Sequence, residues 1–488
     1  MSRNQMSNVV VLGAGLAGLA ASLSLARTGR PVVLLEASAE TGGCCSNARV
    51  SGFTFNNGAL YVAAPSLLRR AFRRLGLDFD AEVPLVSIGR PHETCLDDGT
   101  VVRLSNAATS CVEGARAQDR TAILRRGLDA LQQHWGPVYR ALIDEVVPFE
   151  PSLPRTVCRL WRYLPRMGGT IDKLIASHFP DPGIQAAVAS TLLYTGMPPD
   201  RLPATQIIGL LALLEEGFHL PRGGMGEISA ALCRELQRHP VSIRCGEPVD
   251  RLDVLDGAIR GVELASGERI AADRVIVTCS GFELVDRLLP REAVPPGLAR
   301  KARKTPMSHR AISIQLGCSG AGLPDAFIVN HVPPMHEQGL MHVAGPGVPR
   351  WLAYTNPTRV LPDLAPGGKA VIELFAPVSG IAAASEWTQE MTDMAADNHV
   401  AALKSRLPGL AIEAARVLGP QDFVRGRHLH EGALYGIAPG ATPDKLFPHR
   451  TALRGLYLAG QTTFPGYGVP SAILSGIQAA DALAQDAA

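Results

Sequence analysis

The sequence predicts an α/β protein in which a discontinuous, doubly wound domain interleaves with a mixed α+β domain. Three observations predict it. A strand, a glycine-rich loop, a helix and a second strand open the chain; a long helical stretch then separates this unit from a group of short strands; a buried strand and a small-residue helix close it. At 488 residues and 46% hydrophobic content the chain is too long for one simple core, since domains divide beyond about 250–300 residues.

Taken in order, Val9-Val10-Val11-Leu12 is an unbroken apolar run, the pattern of a strand buried on both faces. Leu16 to Thr28, dominated by small and aliphatic residues, reads as a helix, and Pro31 to Leu35 as the next strand. Leu67 to Leu75 sets apolar residues against arginines at helical spacing. Asp98-Gly99 between short β-type runs signals a hairpin. Residues 110 to 216 read mostly as helices, broken by prolines between Pro148 and Pro154 and at Pro198, Pro199 and Pro203. Val241 to Val277, with turns at Asp256-Gly257 and Ser266-Gly267, reads as a β-meander, and 290 to 420 as an irregular Pro- and Gly-rich region. Gly455 to Gly460 carries the last strand, and a small-residue helix follows Pro470. The expected division is 1–85, 220–288 and 421–488 for the doubly wound domain, with 86–219, mostly helical, and 289–420 for its neighbour.

Gly13-Ala14-Gly15-Leu16-Ala17-Gly18 is a GxGxxG loop between a strand and a helix. There Gly13 permits the tight turn, Gly15 lets a pyrophosphate approach the backbone, and Gly18 lets helix and strand pack closely. The pyrophosphate meets free N–H groups and the positive end of the helix dipole. Glu36, followed by Ala37, closes the second strand, where a carboxylate accepts hydrogen bonds from an adenosine ribose and disfavours a 2′-phosphate.

Composition narrows the function. The 47 basic and 45 acidic residues nearly balance, which argues against a nucleic-acid partner. Nine cysteines show no CxxC or zinc spacing, and His428 with His430, alternating as on a strand, and His331 with His336 lack ligand partners in sequence, so no metal is expected. There is neither a GxSxG elbow nor an HExxH helix. No apolar run reaches about 18 residues, and a cytoplasmic protein, peripheral at most on the inner face of the membrane, is expected.

Further glycines qualify the loop. Gly42-Gly43 and Gly52-Phe53-Thr54-Phe55-Asn56-Asn57-Gly58 follow it, Leu220-Pro221-Arg222-Gly223-Gly224-Met225-Gly226 leads to Pro248-Val249 in the middle, and Gly460-Gln461-Thr462-Thr463-Phe464-Pro465-Gly466-Tyr467-Gly468-Val469-Pro470 stands near the end. With Asn356-Pro357, Asp363, Pro366 and Gly368, this set resembles the phytoene desaturase and carotenoid isomerase group of the amine-oxidase-like flavoproteins, with retinol saturase a further relative. The resemblance implies a Rossmann-type FAD-binding domain with an interleaved substrate domain. By the same resemblance Gly42, Gly43, Cys44, Gly58 and Ala59 line the cofactor, and Val249 contacts adenine through its backbone. Gln461 reaches a ribityl hydroxyl, and Gly468 and Val469 lie beside the isoalloxazine. Two residues depart from the pattern: Cys44 stands where an arginine is common, and Asn56 where an aspartate is usual.

The implied reaction is carotenoid-type desaturation of a long polyene or isoprenoid, with hydride passing to flavin N5. The alternatives are cis–trans isomerisation or saturation of a polyene, oxidation of an amine or other small molecule, and an escort protein for prenyl lipids. His219, Tyr435, Phe464 and Tyr467 border the motifs and are the candidates to face substrate. Ala204 to Leu214, apolar nearly all round, is expected to line its cavity. Arg155, Arg159, Arg162 and Arg166 would share one face of a continuous helix, a membrane-surface pattern. Oligomeric state is not encoded in any of these motifs.

Overall fold

In the computed structural model the described residues are 9–486, except 321, 336–346, 379–380 and 382. A five-stranded parallel sheet is assembled from three distant stretches of chain. Strands β1 (Val9–Leu12) and β2 (Val32–Glu36), with helix α1 (Leu16–Ala26) between them, come from the first stretch. β3 (Val241–Cys245) and β4 (Arg274–Val277) come from the second, and β5 (Leu456–Leu458) with helix α2 (Val469–Gln485) from the third. The order is β3-β2-β1-β4-β5 and every pairing is parallel. β1 and β5 are buried throughout, as a sheet covered on both faces requires. α1 and α2 lie side by side over this sheet so closely that a methyl on Gly476 would overlap the Ala17 carbonyl.

The second layer is an eight-stranded mixed sheet. Its order is Ala411–Leu418, Arg310–Ser319, Ala370–Val378, Leu352–Thr355, Ile328–Val332, His92–Leu96, Val101–Leu104 and Cys111–Glu113. Only Ile328–Val332 with His92–Leu96 is parallel. This sheet overturns the irregular reading of 290–420. Its central strands are buried on both faces, so their side chains lack the period-2 alternation that marks a half-exposed strand. The expected meander is also reduced: only Val249–Leu255, Ala258–Leu264 and Arg269–Ala271 form an antiparallel unit, while the strands flanking it joined the parallel sheet.

Helices cap the eight-stranded sheet between residues 117 and 216. Ala117–Ala141 packs against Ile208–Glu216, which follows a short turn of helix at Ala204–Ile207. The continuous arginine helix is not formed. It runs only from Leu153 to Leu160, so Arg162 and Arg166 lie beyond its end. Among the described residues no helix is long and apolar enough to cross a membrane.

Candidate flavin and substrate site

Where β1 ends, Gly13 turns the chain with φ 96°, a conformation L side chains rarely adopt, and its N–H donates to the Leu35 carbonyl. Gly15 then caps α1 with φ −72° and ψ 179°, and nothing lies within 4 Å of the point its Cβ would occupy. Gly18 is the opposite case, because a methyl there would overlap the Gly13 carbonyl oxygen. The N–H of Ala14 donates to Oε2 of Glu36 at 2.6 Å, and the N–H of Ser38 donates to Oε1 at 2.8 Å. Each carboxylate oxygen retains acceptor capacity for a ribose hydroxyl. Gly42 lies against the loop, its N–H donating to the Ala14 carbonyl.

These groups open into one cavity of about 2180 Å³. Small-molecule pockets usually hold about 300–1,000 Å³, so a dinucleotide and a long second ligand fit together. Gly13, Gly15, Leu16, Ala17, Glu36, Ala37, Gly42, Gly43, Cys44, Gly58, Ala59, Val249, Gly460, Gln461, Gly468 and Val469 all line it. Ala14 and Gly18 do not, and their parts are the bond to Glu36 and the close packing. α2 starts at Gly468 with Val469, Ser471 and Ala472 in the wall, so its positive end faces the cavity.

Of the four candidates to face substrate, Tyr435, Phe464 and Tyr467 line the cavity and His219 does not. His219 pairs with Ser87 and exchanges backbone hydrogen bonds with Val62, and its buried Nδ1 has no partner. Burial pulls its pKa down. Its backbone is thus engaged on both sides, by Ser87 and by Val62. The Tyr435 and Tyr467 rings stack with centroids 4.5 Å apart. The Tyr435 hydroxyl donates to the Tyr194 carbonyl at 2.7 Å, and that of Tyr467 donates to Oε1 of Gln206 at 3.1 Å. Burial pushes the Tyr467 phenol up to about 12 and raises that of Tyr435 further. Both are neutral walls rather than bases.

A polar network missing from the sequence reading also lines the cavity. Glu373, a carboxylate 4% exposed within the apolar run Ala370–Val378, accepts from the Asn56 N–H at 2.6 Å, the Asn56 amide at 3.1 Å and the Thr355 hydroxyl at 3.3 Å. Gln315 donates to the Asn56 carbonyl, and Arg416 donates to Gln315 and Asn57. Burial raises the Glu373 pKa against these donors. A lone acid in a wholly apolar strand was the available signal. The network also accounts for Asn56, since an aspartate there would place a second carboxylate against Glu373, where two like charges cannot both ionise.

The described histidines of the two pairs lie in different settings. His428 ends the helix Pro420–Arg427 in a left-handed turn rather than a strand, and His430 sits between Glu283 at 3.0 Å and Asp286 at 3.3 Å. His331 lies on a strand beside Arg406, and His336 is outside the described residues. Among the described residues no cluster of His, Cys, Asp and Glu could hold a metal. Cys44 and Cys45 are free thiols, and burial pushes the Cys45 thiol up to about 12.

The far part of the cavity is bounded by residues 139–212. Ile143, Val146, Leu160, Tyr194, Ile208 and Ala212 contribute, which places the helix expected to line the cavity where it was expected. The described residues of this wall include no charged side chain. Val157 and Leu164 belong to this wall, and with Phe149 and Trp161 they are four of the seven large apolar side chains exposed among the described residues.

A profile of the flavin-containing amine oxidoreductases matches residues 16–484. The zeta-carotene-forming phytoene desaturase of Myxococcus xanthus is 27% identical over 96% of this chain and 92% of its own length. The phytoene dehydrogenase of Streptomyces griseus is 28% identical over 98% and 95%, and the hydroxyneurosporene desaturase of Rhodobacter capsulatus 28% over 98% of each chain. Among solved structures, an oxidoreductase from Methanosarcina mazei superposes with a TM-score of 0.66 at 16% identity, over 97% of this chain and all of the other. A redesigned putrescine oxidase gives 0.65 at 15% identity, covering 98% of this chain and 99% of its own. At such identities the superpositions establish the fold.

Proposed function

The chain belongs to the flavin-containing amine oxidoreductase family, and from that premise we propose that it is an FAD-dependent oxidoreductase that desaturates a long apolar polyene or isoprenoid of the carotenoid type. FAD fits the residues present: Gly15 leaves open the space a diphosphate needs, Glu36 faces a ribose, and the positive end of α2 points into the wall. When bound, the flavin supplies the hydride acceptor. The chain's own residues hold it, exclude water and align the substrate.

One observation separates this reading from oxidation of an amine. The wall built by residues 139–212 carries no charged side chain among those described, and burying an ammonium there without a counter-charge costs several kcal/mol. An uncharged, largely aliphatic wall suits a polyene. The stacked Tyr435 and Tyr467 form a rigid flank, held by Tyr194 and Gln206, against which a conjugated chain packs flat. The exposed apolar residues at Val157 to Leu164 form the entrance, set on a bilayer surface from which an insoluble substrate is drawn.

The test is anaerobic mixing of holoprotein with polyenes and with small amines, following the flavin band and the products. One flavin reduced per double bond formed supports desaturation. Conversion that requires flavin reduced beforehand and leaves it reduced would indicate isomerisation. Reduction by an amine, with every polyene ignored, refutes the proposal.

A further inference from the structure

A dinucleotide brings two phosphate charges into a cavity whose lining is acidic, with Glu36, Glu40, Glu247, Asp250, Glu283 and Glu373 all contributing. Two arginines line it among the described residues, Arg287 and Arg427. Arg287 is engaged: it pairs with Glu283 and donates to the carbonyls of Val249 and Asp250. Arg427 makes no hydrogen bond or ion pair within the described protein, and its side chain is half-buried. A cation left without a partner in such a lining has a ligand's charge to meet.

Its position identifies which charge. Arg427 closes the helix Pro420–Arg427, anchored by Phe423 at 5% exposure and by Leu429 just beyond. The next residue, His428, is held in the left-handed region at φ 52°, with Nε2 3.2 Å from the Ser38 hydroxyl. Ser38 in turn donates its N–H to Glu36. On its other side Arg427 acts electrostatically on Cys44, which directly follows Gly43, and a Cβ on Gly43 would sit 3.3 Å from Cα of Gly15. Arg427 therefore lines the cavity on the side of Cys44, and the residue after it is tied to Ser38, which bonds the ribose carboxylate. Non-glycine residues adopt positive φ at a cost and cluster where a site requires it.

We propose that Arg427, delivered from the third stretch of the chain, binds the cofactor's diphosphate, and that the His428–Ser38 contact is the positioning device that aims it. This rests on the FAD reading above. Arg427 supplies the fixed positive charge that the glycine loop, offering only N–H groups, lacks, and a guanidinium suits the two oxygens of a phosphate.

The experiment titrates apoprotein with FAD and, separately, with riboflavin, which carries no phosphate. Arg427→Gln is expected to weaken FAD about 10–100-fold, the loss of one charge-assisted hydrogen bond, and to leave riboflavin affinity within about twofold. Arg427→Lys recovers part of the loss. His428→Ala weakens FAD several-fold, and the effect disappears when combined with Arg427→Gln, because the histidine acts through the arginine. Equal FAD affinity in Arg427→Gln and wild type overturns the assignment, as does an equal loss for both ligands, which would mean the fold had shifted. Additive effects in the double variant overturn the latch. If wild-type protein binds no FAD at all, the cofactor reading has failed instead.

Discussion

Replacing Gly15 with alanine places a methyl group in the cavity and nowhere else. The backbone there, φ −72° and ψ 179°, is open to any residue, and no atom lies within 4 Å of the new carbon. Alanine is a poorer helix N-cap than glycine, while it lowers the entropy of the unfolded chain by about 0.4–1 kcal/mol, so the two effects nearly cancel. The apoprotein should melt within about 3 °C of wild type. The methyl, however, stands where a diphosphate must come within hydrogen-bonding distance of the N–H groups at the head of α1. Losing two charge-assisted hydrogen bonds costs about 3–6 kcal/mol, or about 10²–10⁴-fold in affinity. The assay strips the flavin, titrates FAD back by fluorescence and melts each sample with and without it. Wild type at a thousandfold excess over Kd gains about 4 kcal/mol of stability, and Gly15→Ala gains at most about 1.4 kcal/mol at the same concentration. Unchanged FAD affinity would refute the placement of the diphosphate. A large loss of apoprotein stability would refute the claim that this position is open.

Gly476→Ala is the converse: its methyl overlaps the Ala17 carbonyl, so α1 and α2 must separate at a cost of about 1–3 kcal/mol or more, read by urea unfolding of the apoprotein, and wild-type stability would show that the two helices do not touch. Asn56→Asp sets a carboxylate against Glu373, whose pKa is already raised by burial. A raised carboxyl contributes stability below its unfolded pKa and loses it as pH rises through the folded value, so the destabilisation should grow from pH 5 to pH 8 towards about 3–5 kcal/mol; a pH-independent difference would contradict it. At the exposed apolar patch, Arg155 lies over Phe149 at 5.1 Å and Arg162 over Trp161 at 5.7 Å. Trp161→Ser with Leu164→Ser should cut flotation on anionic vesicles more than tenfold, each apolar side chain contributing about 1.5–3 kcal/mol when buried, and salt should weaken wild-type binding; unaltered flotation means the patch has no lipid role.

The parallel sheet was legible because its determinants are local. Val9 to Leu12, the glycine loop and Glu36 lie within thirty residues of one another, and Gly13 and Gly18 answer to backbone constraints visible in the structure. The large mixed sheet was not legible, since Arg310–Ser319 and Ala370–Val378 pair with strands remote in sequence and bury both faces. Alternation also misled: His428 itself and Glu431, next to His430, are in the left-handed region, so spacing by two carries no face there. The arginine stripe failed for a similar reason, because the helix that would have lined up its members stops at Leu160, where Trp161 begins a turn.

The two departures from the family motif show how a site can keep its electrostatics while its local sequence drifts. Asn56 is neutral where an acid is usual, yet a carboxylate is present beside it: Glu373, from 317 residues further along, occupies its hydrogen-bonding groups. Cys44 is a thiol where a cation is common, and burial keeps it from ionising; there the guanidinium of Arg427 faces the same wall. In each case the charge is supplied from another stretch of chain rather than by the motif itself. Such an exchange is possible because the field at a cofactor depends on where charges sit in space, and a discontinuous domain brings three stretches of chain to one cavity. A motif read along the chain records one contributor to that field, which is why both substitutions look like losses in the sequence and neither is one in the fold.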